Sequence, residues 1–398
     1  MDTILLKYLF WGGLLIVGYT FIGYGIIIFL LNKWRGIWKK ELDPINDANY
    51  QPGVTFVIPA YNEERWIEDK IKNSFELDYP ADKINFLVVS DGSDDGTMDL
   101  VDNYPTPKGI QLRHFYKPER QGKIAAVERI MPSINTPISI FTDANTMLNK
   151  AAVKNMVKHF ANPKVGVVSG EKRISSSEKG AAAEVGEGIY WKYESFLKNM
   201  DYQYYSVIGA AGELFAIRTE LYEPIPRDSV IEDFYMTMTI ASKGYRIAYS
   251  PDAYAMETGS SSVKEELKRK IRIAAGGFQS VFRLARLMNP FKYGKLSFQF
   301  LSRRVFRWVV VPIALPIILI ANILLALSGS AFFQGFLLLQ ILFYCFAFIG
   351  YLLEKRKLRF KLLFVPYYFC VMHYAVYRGF ARFIKGSQSV LWERAKRA

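Results

Sequence analysis

Residues 141–146 read "FTDANT": an aspartate and an asparagine flank one alanine, directly after an apolar, β-like run. A short acidic turn of this kind is a place to hold a divalent cation and a diphosphate, because hard cations take oxygen ligands. Asn145 can lend an amide oxygen there but brings no charge. Two polar clusters follow apolar runs upstream, Tyr61-Asn62-Glu63 and Ser90-Asp91-Gly92-Ser93, and an acidic pair, Glu232-Asp233, opens a helix-like segment downstream. A positioned carboxylate can take a proton from an attacking hydroxyl. Each cluster also has a plainer reading. An aspartate in a strand-to-helix turn is commonly an N-cap, and acids in a first helical turn suit the helix dipole.

The elements that would position these groups alternate. "VTFVIPA" (54–60) is a short run rich in β-branched residues, and "NEERWIEDKIKNSFE" (62–76) places Trp66, Ile67, Ile71 and Phe75 at helical spacing. The order repeats with "INFLVVS" before "DDGTMDLVDNY" and with "PISIFTD" before "NKAAVKNMVKHFA". This predicts an α/β domain with a mostly parallel sheet. Ligands of open sheets gather beyond the carboxyl ends of the strands, where the three polar clusters fall. Farther on, "GAAGELFAIR" (209–218) has small residues that let backbone approach a ligand, and "VIEDFYMTMTIASKGYR" (230–246) predicts a helix that closes at Gly244. "DGSDDGTMDLVD" superficially fits a calcium loop. Asp102 stands where the bidentate glutamate belongs, and a β run precedes it where a helix should.

With 398 residues, 51% hydrophobic and 15% aromatic, the chain is too apolar for a soluble enzyme throughout. Residues 8–31 carry no charge and, at ~1.5 Å per residue, outspan a ~30 Å hydrocarbon core. A cleaved signal fits poorly, since Asp2 precedes the run and no small-residue cleavage pattern follows. Residues 308–353 are also uncharged, with interruptions at 328–330 and 334–335, and predict two helices joined by a tight turn. Residues 362–383 are interrupted by His373, Arg378 and Arg382, with Pro366 early, and either span or lie in the interface. Lys33, Arg35, Lys39 and Lys40 follow the first span, Arg303, Arg304 and Arg307 precede the second, and a basic run at 355–359 follows the third. That bias predicts a cytoplasmic region from about 40 to 303. A full fourth span would place the basic tail, Arg394 to Arg397, on the opposite side. The expected organisation is an anchor at 1–33, a catalytic domain at 50–260, a basic interface segment at 261–307, membrane helices at 308–383 and a tail at 384–398.

The net charge of +14 is concentrated at 264–307, where only Glu265 and Glu266 oppose the basic residues. Beside hydrophobic spans this favours anionic lipid headgroups or a phosphate-bearing substrate over nucleic acid. Cys345 and Cys370 lie in apolar stretches and support neither a disulfide framework nor a thiolate metal site. The spans hold almost no charge to line a path, which argues against a channel or transporter.

Taken in order, "VIPAYNEE", "VVSDGSDDGT", "FTDANT", "GAAGELFAIR", "IEDF" and "RKIRIAAGG" resemble the family 2 glycosyltransferases, in particular the membrane-embedded synthases related to poly-N-acetylglucosamine, hyaluronan and cellulose synthases. The resemblance covers roughly residues 50–290. It implies a GT-A, Rossmann-like fold with flanking transmembrane helices. It also implies inverting transfer of a hexose or N-acetylhexosamine from a UDP-sugar, with Mg2+ or Mn2+, to a growing polysaccharide or lipid-linked acceptor at the cytoplasmic membrane face. By that analogy Ala60, Tyr61 and Glu63 contact the nucleobase and its surroundings, Asp91 the nucleoside, and Lys123 of "RQGKIAA" lies near the donor. Asp143 and Asn145 fall at the metal and diphosphate positions, Asp233 at the catalytic base, and Gly212 and Glu213 beside the acceptor. Arg272 would help neutralise the leaving diphosphate. The family's last motif reads Gln-x-x-Arg-Trp, whereas here Arg269 and Ile273 replace its glutamine and tryptophan. Without the indole an acceptor sugar loses a stacking face, which weakens the case for polymerisation. That loss, with Asn145, also motivates a rival: an inactive, nucleotide-binding partner in a polysaccharide export assembly. Retention of Asp91, Asp143, Asp233 and Arg272 speaks against it.

Overall fold

The computed structural model describes residues 3–38, 47, 49–175, 182–258, 263–355 and 361–388. The chain opens with α1 (Thr3–Gly18), a π-helical turn (Tyr19–Gly23) and α2 (Tyr24–Trp38). There follow β1 (Val54–Ala60), α3 (Glu64–Phe75), β2 (Ile84–Asp91), α4 (Thr97–Asp102), β3 (Gln111–Lys117), α5 (Lys123–Ile130), β4 (Ile138–Thr142) and β5 (Met147–Leu148). Next come α6 (Ala152–Val157), β6 (Val165–Ser175), α7 (Ala182–Tyr204), β7 (Leu214–Arg218), α8 (Glu232–Ser242) and β8 (Arg246–Thr258). The remainder is helical: α9 (Val263–Arg283), α10 (Pro290–Tyr293), α11 (Lys295–Phe300), a π-helical stretch (Leu301–Val310), α12 (Val311–Leu327), α13 (Ala331–Lys355) and α14 (Lys361–Ile384). Two compact units result. Among the described residues, one holds the chain up to Leu31, α7 up to Tyr190 and everything from α9 to Gln388; the other holds the stretch from Asn32 to β6 and from Trp191 to β8.

The sheet belongs to the second unit, with strand order β3-β2-β1-β4-β7-β6-β8-β5. β1 is buried along its whole length, as its uninterrupted apolar run requires of a strand covered on both faces. β3 alternates between exposed and half-buried positions and carries Arg113 and Lys117, as an edge strand should. The four strands β3, β2, β1 and β4 pair in parallel. The sheet is mostly parallel, as expected, but not wholly so: β6 and β8 also pair in parallel, whereas β7 runs antiparallel to both β4 and β6, and β5 antiparallel to β8. Antiparallel neighbours need no crossover helix, so alternating strand and helix signals do not reveal them. β6 also slips register twice against β8, beside Gly166 and Gly170, which breaks up its strand pattern. Phe141 of β4 stacks on Phe215 of β7 with ring centroids 4.8 Å apart, fixing the antiparallel pair.

In the other unit α1 packs on α12 through Leu6, Phe10, Ala314, Ile318 and Leu325. Small residues let α9 approach its neighbours: a Cβ on Gly379 of α14 would lie 2.6 Å from Ala274, and one on Gly277 would lie 2.9 Å from the ring of Trp308 in the π-helical stretch. The "IAAGG" of the last motif therefore has a packing reason. Tyr19 and Ser302 hydroxyls, one from each π-helical segment, meet at 2.6 Å, and Asn322 Nδ2 of α12 donates to Gln340 Oε1 of α13 at 2.7 Å. Among the described residues, three helical stretches are long and apolar enough to cross a membrane: Thr3–Gly36, Lys295–Leu327 and Ala331–Glu354. The turn expected at 328–330 is present, whereas residues 334–335 lie inside α13 without breaking it. α14 is a helix through Pro366 but is not one of the three. Lys39, Lys40, most of the 355–359 run and the 394–397 tail lie outside the described residues.

Candidate active site

β1 and β2 end in step, with Ala60 opposite Ser90. Tyr61–Glu63 and Asp91–Ser93 therefore emerge side by side. Ala60 itself is buried, 2% exposed, in the cluster beneath α3; it offers a rigid strand end and little surface. Asn62 adopts a left-handed φ of 54°, which asparagine tolerates better than most residues. Its side chain donates to Asp94 Oδ1 at 2.6 Å and accepts from Asp94 N at 3.0 Å. Glu63 N donates to Thr97 Oγ1 at 2.8 Å and Glu64 N to Asp95 Oδ2 at 3.2 Å. The two loops are thus laced by their own side chains. Beside them the Arg120 guanidinium stacks 3.7 Å above the Tyr61 ring.

Asp91 is 5% exposed and turned inward. Its carboxylate accepts Gln121 N at 3.0 Å and Gly122 N at 2.6 Å. Gly122 sits at φ 95°, a conformation that suits glycine, and opens α5, whose first residue is Lys123. Asp91 therefore fixes where Lys123 begins.

Lys123 is the hub of the charged part. Its Nζ lies 2.8 Å from Asp143 Oδ1 and 3.0 Å from Glu232 Oε1. Burial alone would lower its pKa, but Asp143, Glu232 and Asp233 outweigh burial and hold the ammonium well above its ordinary value. After β4 the loop alternates half-buried Asp143 and Asn145 with buried Ala144 and Thr146. The antiparallel register of Thr142 with Leu214 sets Glu213 beside this loop, where Thr142 Oγ1 donates to the Glu213 carbonyl at 3.1 Å.

Asp233, in the first turn of α8, is pushed up to about 7, first by burial and then by the Glu232 carboxylate; Lys123 and the Phe234 N–H pull the other way. Gly212 matters to it directly. A Cβ there would stand 3.0 Å from Asp233 Oδ2, so glycine leaves space beside that oxygen. Gly209, at φ 84°, lets the turn press on the Phe234 ring, which a Cβ would meet at 2.2 Å. Glu213 turns inward to Lys172 at 2.5 Å, and Lys172 also pairs with Glu257 in the sheet extension.

Of the residues singled out in the sequence, Tyr61, Glu63, Asp91, Lys123, Asp143, Asn145, Gly212, Glu213 and Asp233 all fall in the sheet unit. Arg272 is half-buried on α9, in the other unit. Lys172 and Lys70 were not singled out, and Glu232 was named only as Asp233's neighbour, without a role of its own. Glu232 carried a signal, since it neighbours Asp233 in a first helical turn; Lys172 had none in its strand. The assembled site has acids around one ammonium, beside a carboxyl poised near neutrality. Among the described residues no three His, Cys, Asp or Glu side chains converge to hold a metal ion.

The profile of the family described as "Glycosyltransferase like family 2" matches residues 52–276, more than half of the chain. The chain belongs to this family. Within it, a poly-beta-1,6-N-acetyl-D-glucosamine synthase of Staphylococcus aureus is 25% identical over 265 residues, covering 65% of this chain and 60% of that protein. A probable glycosyltransferase of Bacillus subtilis is 25% identical over 245 residues, covering 60% of this chain and 57% of its own. The match thus spans about three fifths of the length of these curated relatives. Among solved structures, a mannosyltransferase of Pyrobaculum calidifontis, in complex with GDP-Man and Mn2+, superposes with a TM-score of 0.69 at 24% identity, covering 97% of this chain and 98% of that one. The likeness establishes the fold: an α/β, Rossmann-like GT-A sheet with flanking apolar helices.

Proposed function

We propose that this family 2 chain is an inverting glycosyltransferase that moves a hexose or N-acetylhexosamine from a UDP-sugar to a glycan or lipid-linked acceptor at the cytoplasmic membrane face. The observation that carries the reading is the joining of Asp143, Glu232 and Asp233 around Lys123 at the carboxyl ends of the strands. Tyr61 and Glu63 border the nucleobase, and Asp91 braces the turn that aims Lys123. Asp233 is the base: with its carboxyl held near neutrality it takes the acceptor's proton as the hydroxyl attacks the anomeric carbon. The space that Gly212 leaves beside Asp233 Oδ2 marks where that hydroxyl arrives. Lys123, released from the acids by incoming phosphate, stabilises the charge that gathers on the leaving diphosphate, and Arg272 is assigned to the same task.

Asp143 and Asn145 suit Mg2+ or Mn2+ as a partial ligand set. One carboxylate and one amide oxygen are too few for a closed shell, so the donor's phosphate oxygens and water complete it. When bound, the ion withdraws charge from the diphosphate.

Purified protein would be incubated with a panel of UDP-sugars and GDP-mannose, Mn2+ or Mg2+ and candidate acceptors, and nucleotide release measured. Release that requires an acceptor and vanishes in Asp233→Asn is expected. Equal inertness of wild type and variant across the panel would sink the enzyme reading and favour a nucleotide-binding export partner. Product length separates a polymerase from a single-sugar transferase.

A further inference from the structure

Lys70 lies in α3, one helical turn from Ile67 and beside Ile71, and is fully buried. Its Nζ donates to Thr142 Oγ1 at 2.8 Å and to the Thr146 carbonyl at 2.7 Å, the two ends of the Asp143–Asn145 turn. Within the turn Thr146 Oγ1 donates to the Asp143 carbonyl at 2.9 Å. One turn later on the same helix, Asn73 takes the next stretch of chain: its Nδ2 donates to the Leu148 carbonyl at 2.9 Å and its Oδ1 accepts Leu148 N at 2.7 Å. The N-terminus of this helix is the Tyr61–Glu63 loop. A single rigid helix therefore ties the nucleoside-side loop to the loop that bears Asp143.

We infer that Lys70, supported by Asn73, is a positioning residue that holds the Asp143–Asn145 turn in the shape that receives a diphosphate. The inference rests on the glycosyltransferase reading above. Burying an ammonium among neutral partners is costly, and burial depresses Lys70 to about 7 even with Asp143 nearby. An apolar side chain of similar length would fill the same space without that cost. What it would not do is bridge Thr142 Oγ1 to the Thr146 carbonyl, leaving the two ends of the turn joined by the 3.1 Å contact between their own hydroxyls.

The test is Lys70→Met in the full-length protein, with binding of UDP and of UMP measured by calorimetry in the presence of Mn2+. UMP lacks the second phosphate that the turn would hold. The expected result is UDP affinity at least about tenfold weaker, UMP affinity within about twofold of wild type, and a loss of transfer that falls mainly on the donor KM. Equal weakening of both nucleotides, or of neither, would overturn the inference. Hydrogen exchange provides a readout that does not depend on activity: amides 143–148 should exchange faster in the variant while 61–63 stay unchanged, and unchanged exchange at 143–148 would also overturn it. If the wild type turns over no sugar nucleotide, the enzyme reading fails and the exchange result still decides the bracing role. Should Lys70→Met not fold, Asn73→Leu makes the same comparison through Leu148.

Discussion

Two lysines meet the Asp143 turn, Lys70 from its buried side and Lys123 from its accessible side, and burial strips water from both. Lys70 finds hydroxyl and carbonyl oxygens and is depressed to about 7. Lys123 finds carboxylates and is held above its ordinary value. The difference lies in the partners rather than in depth. A lysine among neutral acceptors fixes backbone shape, whereas one among acids is a mobile counter-charge that an anionic ligand can claim. The turn is thus braced beneath and electrostatically loaded above.

The strongest way to break this contrast is Asp143→Ala, which removes the loaded group itself; transfer should fall below detection in a radiolabelled-donor assay with folding intact. Asp233→Asn should cost about 10²–10⁴ in kcat, the usual worth of a positioned base. It should also stabilise the fold. The folded-state pKa of Asp233 is raised above its ordinary 3.8 to about 7, so the fold binds more protons than the unfolded chain between those values, and stability falls as pH rises through that window. The melting temperature of Asp233→Asn should therefore exceed that of wild type at pH 8, with the gap closing towards pH 4.

Next in size, Lys123→Met should move the acidic limb of the kcat/KM profile to higher pH than its wild-type position near 7. Lys123 lowers the pKa of Asp233, against Glu232 and Glu213, which raise it. Lys70→Met should leave the limb in place, and a shift in both variants would erase the distinction between brace and counter-charge. The smallest effect belongs to Asn145→Asp: activity kept within a few-fold, with a lower concentration of Mn2+ needed for half-maximal rate. Loss of activity in this variant, with folding intact, would give the amide a role of its own.

The strand ends and their polar clusters were legible because β1, β2 and β4 are short apolar runs with abrupt polar stops, and the family motifs sit on those stops. Lys70 was not. The helical stripe of α3 was read from its apolar members, Trp66, Ile67, Ile71 and Phe75, yet the buried face is Ile67, Lys70, Ile71 and Ser74. A lysine at stripe spacing reads as surface because its charge predicts exposure; only the facing Thr142 and Thr146, some seventy residues away, make burial tolerable. The mixed half of the sheet was hidden for a related reason. Long-range antiparallel pairing of β7 with β4 and β6 leaves no local periodic signature, and Lys172 between Glu213 and Glu257 is a pairing across three strands' ends.

The two π-helical segments that meet through Tyr19 and Ser302 bear on how this chain can change length. A π turn accommodates one extra residue within an otherwise continuous helix. Removing one residue from Tyr19–Gly23 would return the segment to α geometry while the helix on either side kept its faces, so Leu6 and Phe10 could stay seated against Ala314 and Ile318. Single-residue changes of length at these two wide turns are therefore ones the apolar helices can absorb locally, with the packing faces on either side kept.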